Sequence, residues 1–201
     1  MDLLKNAGFD ALGIGSMEEP GFLKEAGIGL PLFFDQGMYS WNHLAGEAME
    51  QYGADRLTVS VELNEREIRD SGIHGEMIVY GYLPMMISAQ CIRKTTLGCS
   101  GKPEIMWLKD RKEMRFPVVN QCRFCYNTIY NSAPLSLLGL SASVEGLGPK
   151  ALRLNFTVEE PAAAGEILDA FFEEYALGEK AAEPSVLKNQ FTRGHFKRGV
   201  E

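Results

Sequence analysis

Long apolar runs and low-complexity segments are missing from this 201-residue sequence, and its opening residues do not have the pattern of a signal peptide. No stretch approaches the roughly 20 apolar residues that a membrane-spanning helix requires. The opening residues, Met1–Lys5, have neither the basic region nor the apolar stretch of a signal peptide. We therefore expect a cytoplasmic protein with no membrane partner, and thiols that stay reduced.

Positive charge and protease motifs are also scarce. The net charge of −7 argues against a general nucleic-acid coat protein, although a local basic patch is still possible. Neither a GxSxG elbow nor an HExxH helix occurs, and His43, His74 and His195 lie in unrelated surroundings. No standard protease constellation is predicted.

The first 80 residues repeat one pattern, in which a helix-like segment ends in glycine and a short apolar strand follows. Near-continuous apolar strands of this kind predict a parallel sheet covered by helices, and thus an α/β fold. Between the second and third strands, helical spacing predicts one buried face, made of Trp41, Leu44, Ala45, Ala48, Met49 and Tyr52. Asn64 and Glu67 predict a capping box for the next helix.

About four βα units amount to half of a TIM-like (β/α) barrel, and we expect this partial barrel to cover residues 1–90. A small open doubly wound sheet is the alternative. The chain begins in a helix-like segment, residues 3–8, with no strand before it. We therefore expect that an N-terminal half of the same protein is missing and would be its partner.

All four cysteines, Cys91, Cys99, Cys122 and Cys125, fall in one Cys-rich segment, residues 91–135. Thiols gathered in this way predict one soft metal centre. Only Cys122 and Cys125 have the CxxC spacing typical of zinc, and the irregular spacing of the others favours an iron–sulfur cluster held by loops. Zinc and simple buried or free thiols remain as alternatives.

Residues 136–201 form a third region, a small C-terminal α+β region. Alternation of Leu152, Leu154, Phe156 and Val158 predicts a half-buried strand. The following helix is predicted to bury one face, made of Ile167, Leu168, Phe171, Phe172 and Tyr175. A loop then leads to a basic tail.

Several segments resemble the collagenase-like peptidase family, the thirty-second family of peptidases of unassigned catalytic type. They are Glu76-Met-Ile-Val-Tyr-Gly81, Leu108-Lys-Asp-Arg-Lys112, Phe116-Pro-Val118, Asn131-Ser-Ala-Pro-Leu135 and the closing residues 191–199. Glu76 and Gly81 match the opening of the family signature and Cys91 matches its second thiol, whereas Pro84 replaces the first. The chain resembles the C-terminal half of such a protein.

This resemblance implies a barrel-like α/β catalytic region and two kinds of activity. Some members are described as collagenases or peptidases. Others are iron–sulfur proteins that hydroxylate RNA bases or the ubiquinone ring, and they hold a four-iron (4Fe-4S) cluster with four cysteines. The resemblance implies the same role for Cys91, Cys99, Cys122 and Cys125.

Catalytic groups in a βα barrel come from the carboxyl ends of its strands. That rule places Ser16, Asp35, Gln36, Glu62 and the segment from Tyr82 on one rim, and Glu76 at the opposite rim in a structural role. Glu62 is the candidate acid or base. It lies in a segment similar to one of the family, where an arginine usually stands in place of Val61.

The tail carries four candidate substrate-binding residues, Arg193, His195, Lys197 and Arg198, interleaved with Phe191 and Phe196. They could grip a phosphate backbone and stack bases, as single-stranded RNA binders do. Alternatively, the aromatic rings pack on the fold and the cations face water. Asp110 predicts a turn.

Three functions follow from these observations. The first is an iron–sulfur-dependent enzyme of the RNA or ring-hydroxylase type within the family. The second is a collagenase-like peptidase, with a polypeptide substrate. The third is a non-catalytic binding module for RNA or polypeptide, in which the cysteines hold a structural metal.

Overall fold

The computed structural model describes Leu4, residues 6–188 and residues 190–199. The predicted opening helix includes positions outside these residues. Within them, six helices have defined bounds: α1 Glu18–Glu25, α2 His43–Gln51, α3 Glu65–Ser71, α4 Ile92–Thr96, α5 Ser141–Glu145 and α6 Pro161–Tyr175. Two short 3-10 helices cover Gln36–Met38 and Ser185–Leu187. The described part of the chain contains no helix long and apolar enough to cross a membrane.

Ten strands complete the described fold: β1 Leu12–Ile14, β2 Leu32–Phe34, β3 Arg56–Leu57, β4 Glu76–Gly81, β5 Pro84–Ser88, β6 Ile105–Lys109, β7 Arg115–Gln121, β8 Tyr126–Tyr130, β9 Leu135–Ser136 and β10 Ala151–Asn155. Parallel and antiparallel sheets both occur, so the predicted α/β class is confirmed as a mixed α/β fold.

Two compact units divide the chain in an interleaved way. Unit 1 contains Met1–Ile78, Leu140–Arg153 and Gly194–Glu201. Unit 2 contains Val79–Gly139 and Leu154–Arg193. These units differ from the three predicted regions, 1–90, 91–135 and 136–201, because each is built from segments that are distant in sequence.

Unit 1 is built on a parallel sheet with the order β1-β2-β3. The register aligns Ile14 with Phe34, and Phe34 with Leu57, and all three side chains are buried. A parallel bridge between Thr58 and Glu76 continues the series to the start of β4. The strands alternate along the chain with α1, α2 and α3. Helices cover both faces of such a parallel sheet, which is why the apolar residues of its strands are nearly continuous.

The ends of α3 follow local rules that the sequence already indicates. The Asn64 side chain accepts a hydrogen bond from Glu67 N at 2.9 Å, and Glu67 accepts one from Asn64 N at 2.8 Å, so the predicted capping box is confirmed. Gly72 ends the helix in the left-handed conformation, with φ of 65°. At Gly75, a Cβ atom would lie 2.0 Å from the Leu57 carbonyl oxygen, so only glycine allows this approach to β3.

The buried face predicted for α2 is wrong for four of its six residues, which are exposed, and the other two are half-buried. Trp41, Leu44 and Tyr52 are exposed, Leu44 by 73%, and Gly46 is the only buried residue of the helix. A Cβ atom on Gly46 would lie 3.1 Å from the Ile73 side chain, so the helix packs by its smallest residue. The helical spacing identifies the helix, but a close contact at Gly46 determines which side faces the core.

Unit 2 contains an antiparallel sheet with the order β5-β8-β7-β6. Val118, Asn120 and Asn127 are fully buried in its two central strands. Only Cys122 and Cys125 lie at the end of this sheet, in the turn between β7 and β8, and the predicted Cys-rich segment, residues 91–135, is part of the larger unit 2. Asp110 forms the predicted turn between β6 and β7, where it accepts hydrogen bonds from Lys112 N at 2.8 Å and Met114 N at 2.9 Å.

Helix α6 belongs to unit 2, and its buried face only partly matches the predicted one. Ile167 and Phe171 are buried, together with Ala170 and Glu174, whereas Leu168 and Phe172 are exposed. The predicted strand of alternating residues is present over Ala151–Asn155 and ends before Phe156.

Candidate functional site

The four thiols lie at the ends of elements in unit 2. Cys91 follows β5 and caps the short helix α4, and Cys99 lies in the loop after it. Cys122 and Cys125 lie in the turn between β7 and β8, just beyond the pair Gln121 and Tyr126. Cys91 is buried, Cys122 is half-buried, and Cys99 and Cys125 are exposed. The β7–β8 hairpin thus carries two of the thiols, and the cap of α4 with the loop after it carries the other two.

The turn between Cys122 and Cys125 has a defined geometry. Phe124 N donates to the Gln121 carbonyl at 3.0 Å, and Cys125 adopts a left-handed conformation with φ of 56°. The Cys122 thiol donates to the Lys102 carbonyl at 2.8 Å. A non-glycine residue with positive φ is uncommon, and the turn accepts this conformation at its second cysteine.

The surroundings of Cys122 affect the proton affinity of its thiol. Burial, followed by the charges of Cys99, Cys91 and Cys125 and then of Glu104, raises the pKa of the Cys122 thiol. Within the described residues, however, no three or more His, Cys, Asp or Glu side chains form a group that could hold a metal as they are placed.

Two observations test whether these residues suit a metal. Four thiols form a donor set suited to zinc or an iron–sulfur cluster. Asn120 lies beside the buried thiol, with its Oδ1 3.7 Å from Cys91 Sγ, and its Nδ2 is buried without a hydrogen-bond partner in the described structure. A buried donor beside the Cys91 sulfur would suit a sulfur that bears negative charge. The types of donor atom therefore fit the expected group, whereas the described side chains are not gathered into a site that could hold it.

The candidate acid or base, Glu62, lies in unit 1. Its backbone N–H donates to Ser60 Oγ at 3.3 Å, and its half-buried side chain lines a surface groove of about 460 Å³. This groove is also lined by Trp41, which precedes α2, by His43 of α2 and by Asp70 of α3. Glu62 is therefore accessible to a ligand that enters the groove.

Asp35 and Glu76 meet at one cation that the sequence did not indicate. Arg153 NH2 lies 2.7 Å from Asp35 Oδ1 and 2.7 Å from Thr58 Oγ1, and its Nε lies 2.6 Å from Glu76 Oε1. Glu76 thus shares a level of the sheet with Asp35, and its predicted place at the opposite rim is wrong. The reason is stagger, since β4 begins where β2 and β3 end.

The tail residues are engaged in internal contacts to different degrees. Arg193, in unit 2, donates to the carbonyls of Ser136 and Leu138 at 2.6 Å each, and burial lowers its pKa. In unit 1, His195 Nδ1 lies 2.8 Å from the Gly199 carbonyl, and Lys197 lies 3.0 Å from Glu65. Arg198 is exposed. These contacts favour the packing alternative for the tail.

A second cluster in unit 2 was also missed. Tyr80 donates to Glu159 Oε1 at 2.9 Å, and Glu159 Oε2 accepts from Thr157 N at 2.6 Å and Val158 N at 2.9 Å. Burial, followed by Glu159, raises the pKa of Tyr82 as well as that of Tyr80. The sequence signal for this cluster was limited to two tyrosines near the end of a strand, because the Glu159 carboxylate that affects both is 79 positions from Tyr80.

Comparison of the chain with protein-family models, with curated proteins and with solved structures found no match. The assignment of function therefore depends on the site itself and on the resemblance of its motifs.

Proposed function

We propose that Cys91, Cys99, Cys122 and Cys125 bind an iron–sulfur cluster, and that the protein is a cluster-dependent hydroxylase similar to members of the collagenase-like peptidase family. The observation that carries this proposal is the location of all four thiols in unit 2, with Cys122 and Cys125 in the turn between β7 and β8 and Cys91 at the cap of α4. Neighbouring thiolates repel each other, and a bound cation removes that repulsion. The substrate class is an RNA base or a quinone-like ring.

In this proposal, the cysteines of unit 2 would hold the cluster, which would supply electron-transfer chemistry when bound. The backbone N–H of Lys94 lies 3.4 Å from Cys91 Sγ and donates to it, which helps to orient that ligand. Glu62 is the candidate proton acceptor in the unit 1 groove, and Arg153 holds Asp35 and Glu76 in fixed positions.

We also propose that unit 1 is part of a βα barrel whose other half is a separate segment of the same protein. The support is the order of its strands, in which β1, β2 and β3 are parallel neighbours in chain order and the bridge at Thr58 extends the series to β4. Sequential neighbours of this kind are typical of barrels, whereas a doubly wound sheet reverses its strand order.

A second candidate, a binding module with a structural zinc ion, is favoured by the turn that carries Cys122 and Cys125. A CxxC pair in a tight turn is typical of zinc ligands. The peptidase alternative has no comparable support. The three histidine rings contact Glu47, the Leu147 carbonyl and the Gly199 carbonyl respectively.

The metal content of anaerobically purified protein tests the proposal. We expect iron and acid-labile sulfide with broad visible absorption, and a loss of both when any one cysteine is changed to serine. We also expect each serine variant to melt at a lower temperature, because a bound metal stabilises only the state that assembles its ligands. Leu97→Ser, an exposed change in the same loop as Cys99, is the matched control.

The possible outcomes separate the candidates. Stoichiometric zinc with no iron would replace the enzyme with the binding module. Unchanged metal content and melting temperature in all four serine variants would reject a shared site. Cleavage of a collagen-like peptide by metal-free protein would favour the peptidase.

A further inference from the structure

Asn120 is a fully buried polar side chain near the thiols. It lies on the central strand β7, is 0% exposed and pairs across the sheet with Asn127 on β8. Its Oδ1 is 3.7 Å from Cys91 Sγ, and its Nδ2 has no hydrogen-bond partner in the described structure. A buried amide nitrogen without a hydrogen-bond partner destabilises the folded state, so its presence requires an explanation.

The state of Cys91 determines what Asn120 can bind. A free thiol donates its S–H, and the carbonyl oxygen of Asn120 is then the suitable partner, as found here. A thiolate bound to metal has no proton and accepts hydrogen bonds only. Rotation of the amide exchanges Oδ1 and Nδ2 with little change in shape, and this rotation would direct the unpartnered donor toward the sulfur.

We propose that Asn120 Nδ2 donates a hydrogen bond to Sγ of metal-bound Cys91, and so acts as a positioning residue that sets the reduction potential of the cluster. This inference rests on the proposed four-thiolate centre. Donation to a ligand sulfur stabilises the more negative, reduced cluster more than the oxidised one, and therefore raises the reduction potential. Such outer partners also orient the ligands that they contact.

Asn127 provides a matched control on the same pair of strands. It is equally buried, at 0% exposure, but its Nδ2 already donates to the Gln90 carbonyl at 2.8 Å. Among the described hydrogen bonds, Asn127 has none to a cysteine sulfur. Replacement of either residue removes a buried amide, but only Asn120 would remove a donor to the cluster.

The experiment compares Asn120→Leu and Asn127→Leu in the complete, cluster-loaded protein by anaerobic redox titration. We expect the midpoint potential of Asn120→Leu to be lower than that of the wild type, and the potential of Asn127→Leu to be unchanged. If Asn120→Leu does not fold, Asn120→Ser, which is smaller and retains a donor, should give a potential between the two. If the protein holds zinc instead, chelator competition should show an affinity about 10- to 100-fold weaker for Asn120→Leu alone.

The failure of this inference differs from the failure of the proposed function. Wild-type protein that binds neither iron nor zinc overturns both. Wild-type protein that is fully loaded, with equal potentials or equal zinc affinities in the Asn120 and Asn127 variants, overturns only the role of Asn120.

Discussion

At the scale of single residues, a few long side chains and amides connect segments that are far apart in sequence. Arg153 contacts Asp35, 118 positions away, and Thr58, 95 positions away, and it also pairs with Glu76. Cys91 contacts Asn120, 29 positions away. Each contact pairs a charged or polar group that is at least partly shielded from bulk water, where an unpaired group is costly. These residues therefore determine which side chains surround each candidate site.

Tyr80 gives this protein a predicted sensitivity to alkaline pH. Burial of the ring, with the Glu159 carboxylate, raises the pKa of Tyr80 above its ordinary value. An unfolded tyrosine ionises near pH 10, so the folded state holds this proton more tightly. The resulting stabilisation is fully present below about pH 10 and is lost as the pH rises further.

We expect Tyr80→Phe to cost about 1 kcal/mol at neutral pH, through loss of the hydrogen bond to Glu159. Above about pH 10, the variant should lose less stability per pH unit than the wild type. Urea unfolding across this range measures both effects. Tyr39→Phe, at a residue that is 62% exposed, is the control, and an identical pH slope in the wild type and Tyr80→Phe would contradict the prediction.

At the scale of elements, helix ends follow local chemistry, whereas helix faces do not. The capping box of α3 and the glycine after it form as their sequence indicates. The faces of α2 and α6 differ from their hydrophobic pattern, because Gly46 and Ala170 allow closer packing than larger side chains do. A helical period identifies the element but does not determine its orientation.

Two glycines should respond to alanine in opposite ways. Gly72 has φ of 65°, so Gly72→Ala should strain the end of α3 and destabilise the protein by about 1 kcal/mol. Gly165 lies inside α6 with nothing within 4 Å of an added Cβ atom, so Gly165→Ala should stabilise by about 0.5–1 kcal/mol. Thermal melting of the two variants measures the difference, and shifts of the same sign would refute the assignment of these backbone conformations.

At the scale of the whole molecule, the antiparallel sheet of unit 2 leaves apolar side chains exposed on strand β5. Met85, Met86 and Ile87 are exposed, Ile87 by 71%, and β5 is an end strand of its sheet within the described residues. An exposed apolar end strand promotes pairing between chains.

We therefore expect the isolated chain to associate as its concentration rises, and Ile87→Lys to reduce this association, since a charge on an end strand opposes pairing. Light scattering against concentration measures the effect. Leu168→Lys introduces the same charge at an apolar residue that is 51% exposed on α6, and serves as the control. A wild-type chain that remains a monomer would contradict the expectation.

The sequence by itself determined the features that depend on neighbouring residues. The α/β alternation, the cap at Asn64 and the turn at Asp110 all follow from interactions within a few positions, so a short stretch of sequence is enough to predict them. Tertiary structure alone decided which side of α2 is buried, the meeting of Asp35 with Glu76 at Arg153, and the placement of Asn120 beside Cys91. Those contacts join distant segments, and their geometry depends on strand stagger and close packing, which no local pattern encodes.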